Sequence, residues 1–275
     1  MTHPTAPPRG DDQESRRAYR VARRRPQPAD SSPRRIYELL RASIRDGSIG
    51  AGEQLDEHSL VKTYNASRNS VRKALRSLAE EGLLDRGRRV GTSLSRTIVP
   101  IAPTDVGPRV YRGTTREGRL AVETLECTRV VAGHAVGRRL RIDPGAEVVR
   151  LDQLARFDGE PLYLRTAYLV TDRSAAEQLA LLAQIHEDYP PMPVVFHRVF
   201  GRAYGASIYA VEAIALEERI ADMLDEAPGT PTLLRELTTT DVEGRPFELS
   251  FTYFRTGRAA LSGIGTFTES GYGVL

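Results

Sequence analysis

Apolar residues return every three or four positions soon after Pro33. Ile36, Leu39, Leu40 and Ile44 fall at i, i+3, i+4 and i+8, one face of a helix, and Gly47 and Gly50 end it. Asp56 precedes a short segment carrying Leu60 and Val61 and reads as its N-cap. Tyr64-Asn65-Ala66 makes a tight turn. Ser67 then caps a helix whose Val71, Ala74, Leu75 and Leu78 share a face, and Glu81-Gly82 closes it. Leu83 to Asp85 reads as a short strand, Arg86 to Arg89 as a hairpin tip, and Val90 to Leu94 as the return strand. Three helices followed by a two-stranded ribbon, with a turn of about three residues between the second and third, is the winged helix-turn-helix order.

From about residue 118 the period changes to two. Val149, Leu151, Gln153 and Ala155 alternate with Arg150, Asp152, Leu154 and Arg156. Asp158-Gly159 signals a hairpin turn into Leu162 to Val170. Leu233 to Thr240 and Phe247 to Phe254 form a second pair across a turn holding Gly244 and Pro246. Helical stretches at Ala175 to Ile185 and Glu217 to Leu224 lie between the hairpins, so the expectation is an α+β domain. Pro100, Pro103, Gly107 and Pro108 mark residues 97–117 as a linker. Residues 1–32, rich in Pro, Arg, Asp and Ser, are expected to be a disordered basic arm. The predicted domains are thus 33–96 and 118–275.

Charge sharpens this division. Of the net +3, residues 1–96 carry +8 and residues 97–275 carry −5. A basic front half suits a polyanion, and an acidic rear half argues against the whole chain coating one. Arg16, Arg17, Arg20, Arg23, Arg24 and Arg25 could follow phosphates or simply be solvated. Only two lysines occur, Lys62 and Lys73, so no Schiff base forms in the rear half. The single cysteine, Cys127, excludes an internal disulfide and fits a reducing cytoplasm. No apolar run is long enough to span a membrane, and none makes a secretory signal.

The third helix has a second face of Arg68, Asn69, Arg72, Lys73 and Arg76. Such a stripe alone is usually a solvated surface. Joined to a capped helix, a short preceding helix and a basic hairpin with Arg88 and Arg89, it points to the major groove of double-stranded DNA. A single short helix gives little area, so a homodimer on an inverted-repeat operator is expected. Catalysis is not expected. His3, His58, His134, His186 and His197 have no metal-ligand spacing, no nucleophile elbow or phosphate loop is present, and no cofactor is implied.

The stretches Ile36–Leu40, Gly47–Ile49, Leu55–Leu60, Ser67–Leu75, Leu78–Leu84 and Gly91-Thr92 resemble the DNA-binding domain of GntR-family regulators. The resemblance implies DNA contacts from Arg68 and Arg72, with Ser67, Asn69 and Ser70 beside them. His58 stands where the family usually has arginine, and Arg89 where its wing usually has glycine.

The rear half resembles the UTRA domain, the effector-binding module of HutC-type regulators, related in fold to chorismate lyase. The matching residues are 135–145, 158–161, 168–169, 204–205 and 217–255. That likeness implies a pocket drawn from Gln153, Arg165, Tyr168, His197, Glu248, Tyr253 and Phe254. Gln153 and Ala155 replace two arginines typical of sugar-phosphate sensors, and Arg165 replaces a glutamate. A ligand with an anionic or carbonyl end near Arg165 and a hydroxyl or amine near Glu248 fits this polarity. The expected function is a DNA-binding regulator, a repressor released by a small-molecule effector. The alternatives are a ligand-independent dimeric silencer and, by fold alone, a lyase-like enzyme.

Overall fold

In the computed structural model, the described residues are 32–50, 52–87, 91–104, 119–188, 191–263, 265–268 and 271–274. The basic arm and the hairpin tip with Arg88 and Arg89 lie outside them. The chain divides into two compact units, residues 43 and below with 51–95, and residues 44–50 with 96 onward.

In the N-terminal part of the chain, α1 (Pro33–Asp46), of which the first unit takes the residues up to Ser43, α2 (Glu57–Thr63) and α3 (Arg68–Glu80) precede the ribbon β1 (Leu84–Gly87) and β2 (Gly91–Leu94). Gly47 ends α1 with φ 82°, a left-handed conformation that favours glycine. The Asp56 side chain accepts the Ser59 N–H at 2.7 Å and caps α2. Ile36, Leu40, Val71, Leu75 and Leu78 are fully buried, which is why the helical apolar spacing was legible. The ribbon pairs Leu84 with Leu94 and Asp85 with Ser93. A bridge from Gln54 to Ser93 and a hydrogen bond from Leu55 N–H to Thr92 O fasten the α1–α2 connection beside it.

The second unit is built on a six-stranded antiparallel sheet. Its strands are β4 (Leu120–Val131), β5 (Glu147–Phe157), β6 (Glu160–Leu169), β7 (Tyr204–Ala215), β8 (Pro231–Asp241) and β9 (Pro246–Phe254), in the order β4-β5-β6-β9-β8-β7. Asp158 (φ 52°) and Gly159 (φ 83°) make the expected tight turn between β5 and β6. Alternation along the strands gives two faces. On one, Val149, Leu151, Ala167 and Leu169 pack with Leu182 of α5 (Ala175–Asp188) and Phe200 of α6 (Met192–Phe200). On the other, Leu140 of α4 (His134–Leu140) packs with Val148, Tyr168, Leu249 and Phe251. Farther along that face, Ala221 of α7 (Glu218–Met223) packs with Leu154, Leu164 and Tyr253.

The structure corrects the linker. Residues 97–101 are not a tether. Thr97, Ile98, Val99 and Ile101 are buried, and β3 (Val99–Ile101) pairs in parallel with β10 (Ala259–Leu261). Val99 and Ile101 join the core formed by Ala155, Phe157, Tyr163 and Phe254. Pro100 is tolerated because, among the described residues, this ribbon has two strands and both are edges. Arg258 holds the segment down, donating to Thr97 O at 2.9 Å and to Phe157 O at 3.1 Å. The rest of the expected linker, 105–117, lies outside the described residues. A further hairpin, β11 (Gly265–Thr268) with β12 (Gly271–Val274), ends the described chain.

Candidate DNA interface and effector site

The start of α3 is set by Ser67, whose Oγ accepts the Ser70 N–H at 3.1 Å. This cap leaves the first helical N–H groups facing outward, where the helix dipole favours an anion. Ser67, Arg68, Asn69, Arg72, Lys73 and Arg76 are exposed on the side opposite the buried stripe, and His58 is exposed on α2. Arg72 is not a free arm. Its Nε donates to Glu57 Oε2 at 2.8 Å, a bond from the recognition helix to the first turn of α2. That bond orients the guanidinium and leaves its Nη donors for another acceptor.

Ser70 departs from the expectation. Its side chain is buried and accepts from Ser67 Oγ at 3.0 Å, so it belongs to the cap and not to the exposed row. A feature missed in the sequence is an open groove of about 530 Å³ beside α3, lined by Arg34, Tyr37, Lys73, Arg76, Ser77 and Glu81. Tyr37 donates to Glu81 at 2.6 Å, and Arg41 pairs with the same carboxylate. Burial, then the hydrogen bond to that carboxylate, raises the Tyr37 phenol above its ordinary value.

The second cluster lies inside the sheet domain. Register places Gln153 beside Arg165 and Arg165 beside Thr252. Arg165 Nη1 donates to Gln153 Oε1 at 2.8 Å, and Nη2 to Glu248 Oε1 at 2.5 Å. Both members of this ion pair are about 6% exposed. Between their rows stand Ala167 and Ser250, small residues that leave the long arginine side chain room to reach along the sheet. Phe254 lies one row beyond Thr252 on the same face, 6.2 Å from Tyr163 in an edge contact.

Alternation decides which expected pocket residues fail. Tyr168 is three positions from Arg165, and Tyr253 one from Phe254, so both point to the opposite face, against α4 and α7. His197 is exposed, with Nδ1 3.3 Å from Arg202 O. These three do not join Gln153, Arg165, Glu248 and Phe254.

The structure adds others to that face. Arg235, 1% exposed, donates to Ala102 O and Pro103 O and lies 5.3 Å from the Phe254 ring centroid. Its place in the inward series Arg235, Leu237, Thr239 was readable from the period of two. On the sheet, Gln153 Nε2, Arg165 Nε, Thr239 Oγ1 and Ser250 Oγ are buried with no hydrogen-bond partner among the described residues; both amide atoms of Gln178, on α5, are likewise without one. Buried polar atoms are nearly always satisfied, so this concentration has a cost that a bound polar molecule would relieve.

The fold and its two clusters define a winged helix-turn-helix DNA-binding protein with a separate antiparallel-sheet domain. Residues 33–94 match the bacterial regulatory proteins of the gntR family, and residues 115–260 match the UTRA domain. The chain belongs to the GntR family of regulators that carry a UTRA domain, and it is a DNA-binding transcriptional regulator. It is 28% identical over 237 residues to the HTH-type transcriptional regulator RB1450 of Rhizobium meliloti (strain 1021), covering 83% of this chain and 92% of the relative. It is also 28% identical over 152 residues to the "Probable fructoselysine utilization operon transcriptional repressor" of Escherichia coli (strain K12), covering 52% of this chain and 62% of that one. The crystal structure of PhnF from Mycobacterium smegmatis shares the fold, with a TM-score of 0.55 and 19% identity over 85% of this chain and all of that one.

Proposed function

We propose that the protein is a HutC-type repressor that binds an inverted-repeat operator as a homodimer and leaves it when a small molecule occupies the sheet domain. The observation that carries the reading is the contrast between an exposed arginine row on a capped helix and a buried polar cluster with unmet hydrogen bonds. In this reading Arg68, Asn69, Arg72 and Lys73 meet the major groove, with His58 and the wing arginines Arg88 and Arg89 flanking it. Gln153, Arg165, Glu248 and Phe254 hold the effector, with Ser250 and Thr239 added. The site works by binding and not by chemistry. An effector releases DNA by binding more tightly to the DNA-incompetent arrangement.

Selection of bound fragments from a random DNA library tests the first half. A palindromic consensus is expected, and binding without sequence preference refutes it. Release from that operator by a metabolite panel tests the second half, with Gln153→Leu as the pocket variant. Release of the wild type and not of the variant supports the pocket. Equal release of both overturns it, and no release by any compound favours the ligand-independent silencer.

A further inference from the structure

The two edges of the large sheet differ. β4 carries Glu123, Glu126 and Arg129 along its length, the charges by which a lone edge strand discourages pairing. β7 is equally long but has one charge, Glu212, in twelve residues. Ile208, Tyr209 and Val211 are exposed on it, and Leu233 beside them on β8. Ile208 is 64% exposed, and residues with apolar side chains stand out on both faces of the strand. Among the described residues no strand pairs with the outer edge of β7.

A groove of about 250 Å³ opens along one face of this edge. Arg139 and Arg141 line one side, Ile208 and Ala210 the edge, and Glu236 and Thr238 the floor. Arg139 pairs with Glu236, while among the described residues Arg141 donates to the carbonyl of Gly244, at 3.2 Å, and pairs with no carboxylate. The groove therefore carries one positive charge more than it neutralises. Glu212 shares the face of Ile208 and Ala210 and lies beyond them along the same strand. The basic and acidic ends of one edge are what a two-fold, antiparallel partner would bring together.

We propose that β7 pairs with β7 of a second copy about a two-fold axis at Ala210, joining the two sheets into one. This rests on the homodimer reading above and names its surface. In that register Tyr209 faces Val211 of the second copy, and with Leu233 they close an apolar patch on one side. On the other side Ile208 faces Glu212 of the second copy, which enters the groove beside Arg141. An axis at Glu212 would set two carboxylates opposite each other.

The test uses the full chain with Cys127→Ser as background. Residues facing across an antiparallel pair have Cα atoms about 4.5–5.5 Å apart, within disulfide range. Ala210→Cys is expected to oxidise to a covalent dimer. Ile214→Cys should not, because its own copy would be about 26 Å away. In sedimentation, Glu212→Arg should raise the dimer dissociation constant about tenfold, and adding Arg141→Glu should restore it. A wild-type chain that sediments as a monomer at micromolar concentration overturns both this proposal and the homodimer. A wild-type dimer with no Ala210→Cys cross-link above the Ile214→Cys control, a cross-link maximum at another β7 position, or no response to Glu212→Arg overturns the pairing and leaves the homodimer standing.

Discussion

The recognition helix and the sheet interior both carry rows of arginine and amide side chains, but they stand in opposite solvents. Arg68, Asn69, Arg72 and Arg76 are exposed and pay no desolvation on folding. Gln153, Arg165, Arg235 and Glu248 are almost fully buried, and each must be matched by a partner or burden the fold. Polar groups on the first surface are therefore free to serve a ligand of the folded protein. Those on the second are part of what folding has to solve. Loss of one group should accordingly cost affinity in the first region and stability in the second.

The largest effect tests the sheet. Glu248→Ala strands the Arg165 charge and should destabilise the second unit by about 3–5 kcal/mol, seen as an earlier transition in urea while the first unit is unchanged. Replacing both partners, Arg165→Met with Glu248→Leu, should cost much less, and equal losses would break the contrast. Next is Arg72→Ala. It should cost about 1–3 kcal/mol of operator affinity, measured by fluorescence anisotropy, while first-unit stability falls by no more than the exposed Arg72–Glu57 pair supplies, at most about 1 kcal/mol. Ser67→Ala crosses the two categories, because the cap both orders the helix and aims it. About 1 kcal/mol of first-unit stability should be lost in thermal unfolding.

The smallest effect is acid-dependent. Burial pushes the Asp241 carboxyl up, but the N–H groups of Arg245 and Glu243 and the Arg245 guanidinium outweigh it and hold it below its ordinary value. A depressed folded pKa gives stability that is present above the unfolded value, about 3.9, and lost as pH falls through the folded one. The melting-temperature difference between wild type and Asp241→Asn should be constant above about pH 5 and shrink below about pH 4. A difference independent of pH would remove the carboxylate as its source.

Legibility in the sequence followed the same division. The three helices of the first unit each have one wet and one dry side, so their period and caps were visible at Ile36, Asp56 and Ser67. The β5–β6 and β8–β9 hairpins announced themselves by their turns. β7 was missed because both of its faces carry exposed apolar or small residues, leaving no alternation to read. Pro100 and Pro103 make residues 97–101 look like linker, although Val99 and Ile101 are the better guide. In the buried cluster, register and reach bring Gln153, Arg165 and Glu248 into contact. Tyr168 and Tyr253 failed on parity, a test the sequence already contained. The bond from Arg72 to Glu57 and the buried amide of Gln178 depend on how elements meet, and no local pattern encodes that.

The distribution of lysine has a practical consequence. Lys62 and Lys73 are the only lysines in the chain, and both are exposed on helices of the first unit, the second of them on the recognition helix. Reagents and enzymes that act on lysine amines therefore find no side-chain target in the sheet domain. Amine labelling therefore offers a footprint of the proposed DNA-reading surface: Lys73 should lose reactivity when duplex is added, with Lys62 as the internal reference, and equal labelling of both with and without duplex would remove Lys73 from the interface. Lysine-directed cross-linkers, by the same token, would be silent about contacts made by the sheet domain, so its assembly has to be followed with cysteine or carboxylate chemistry.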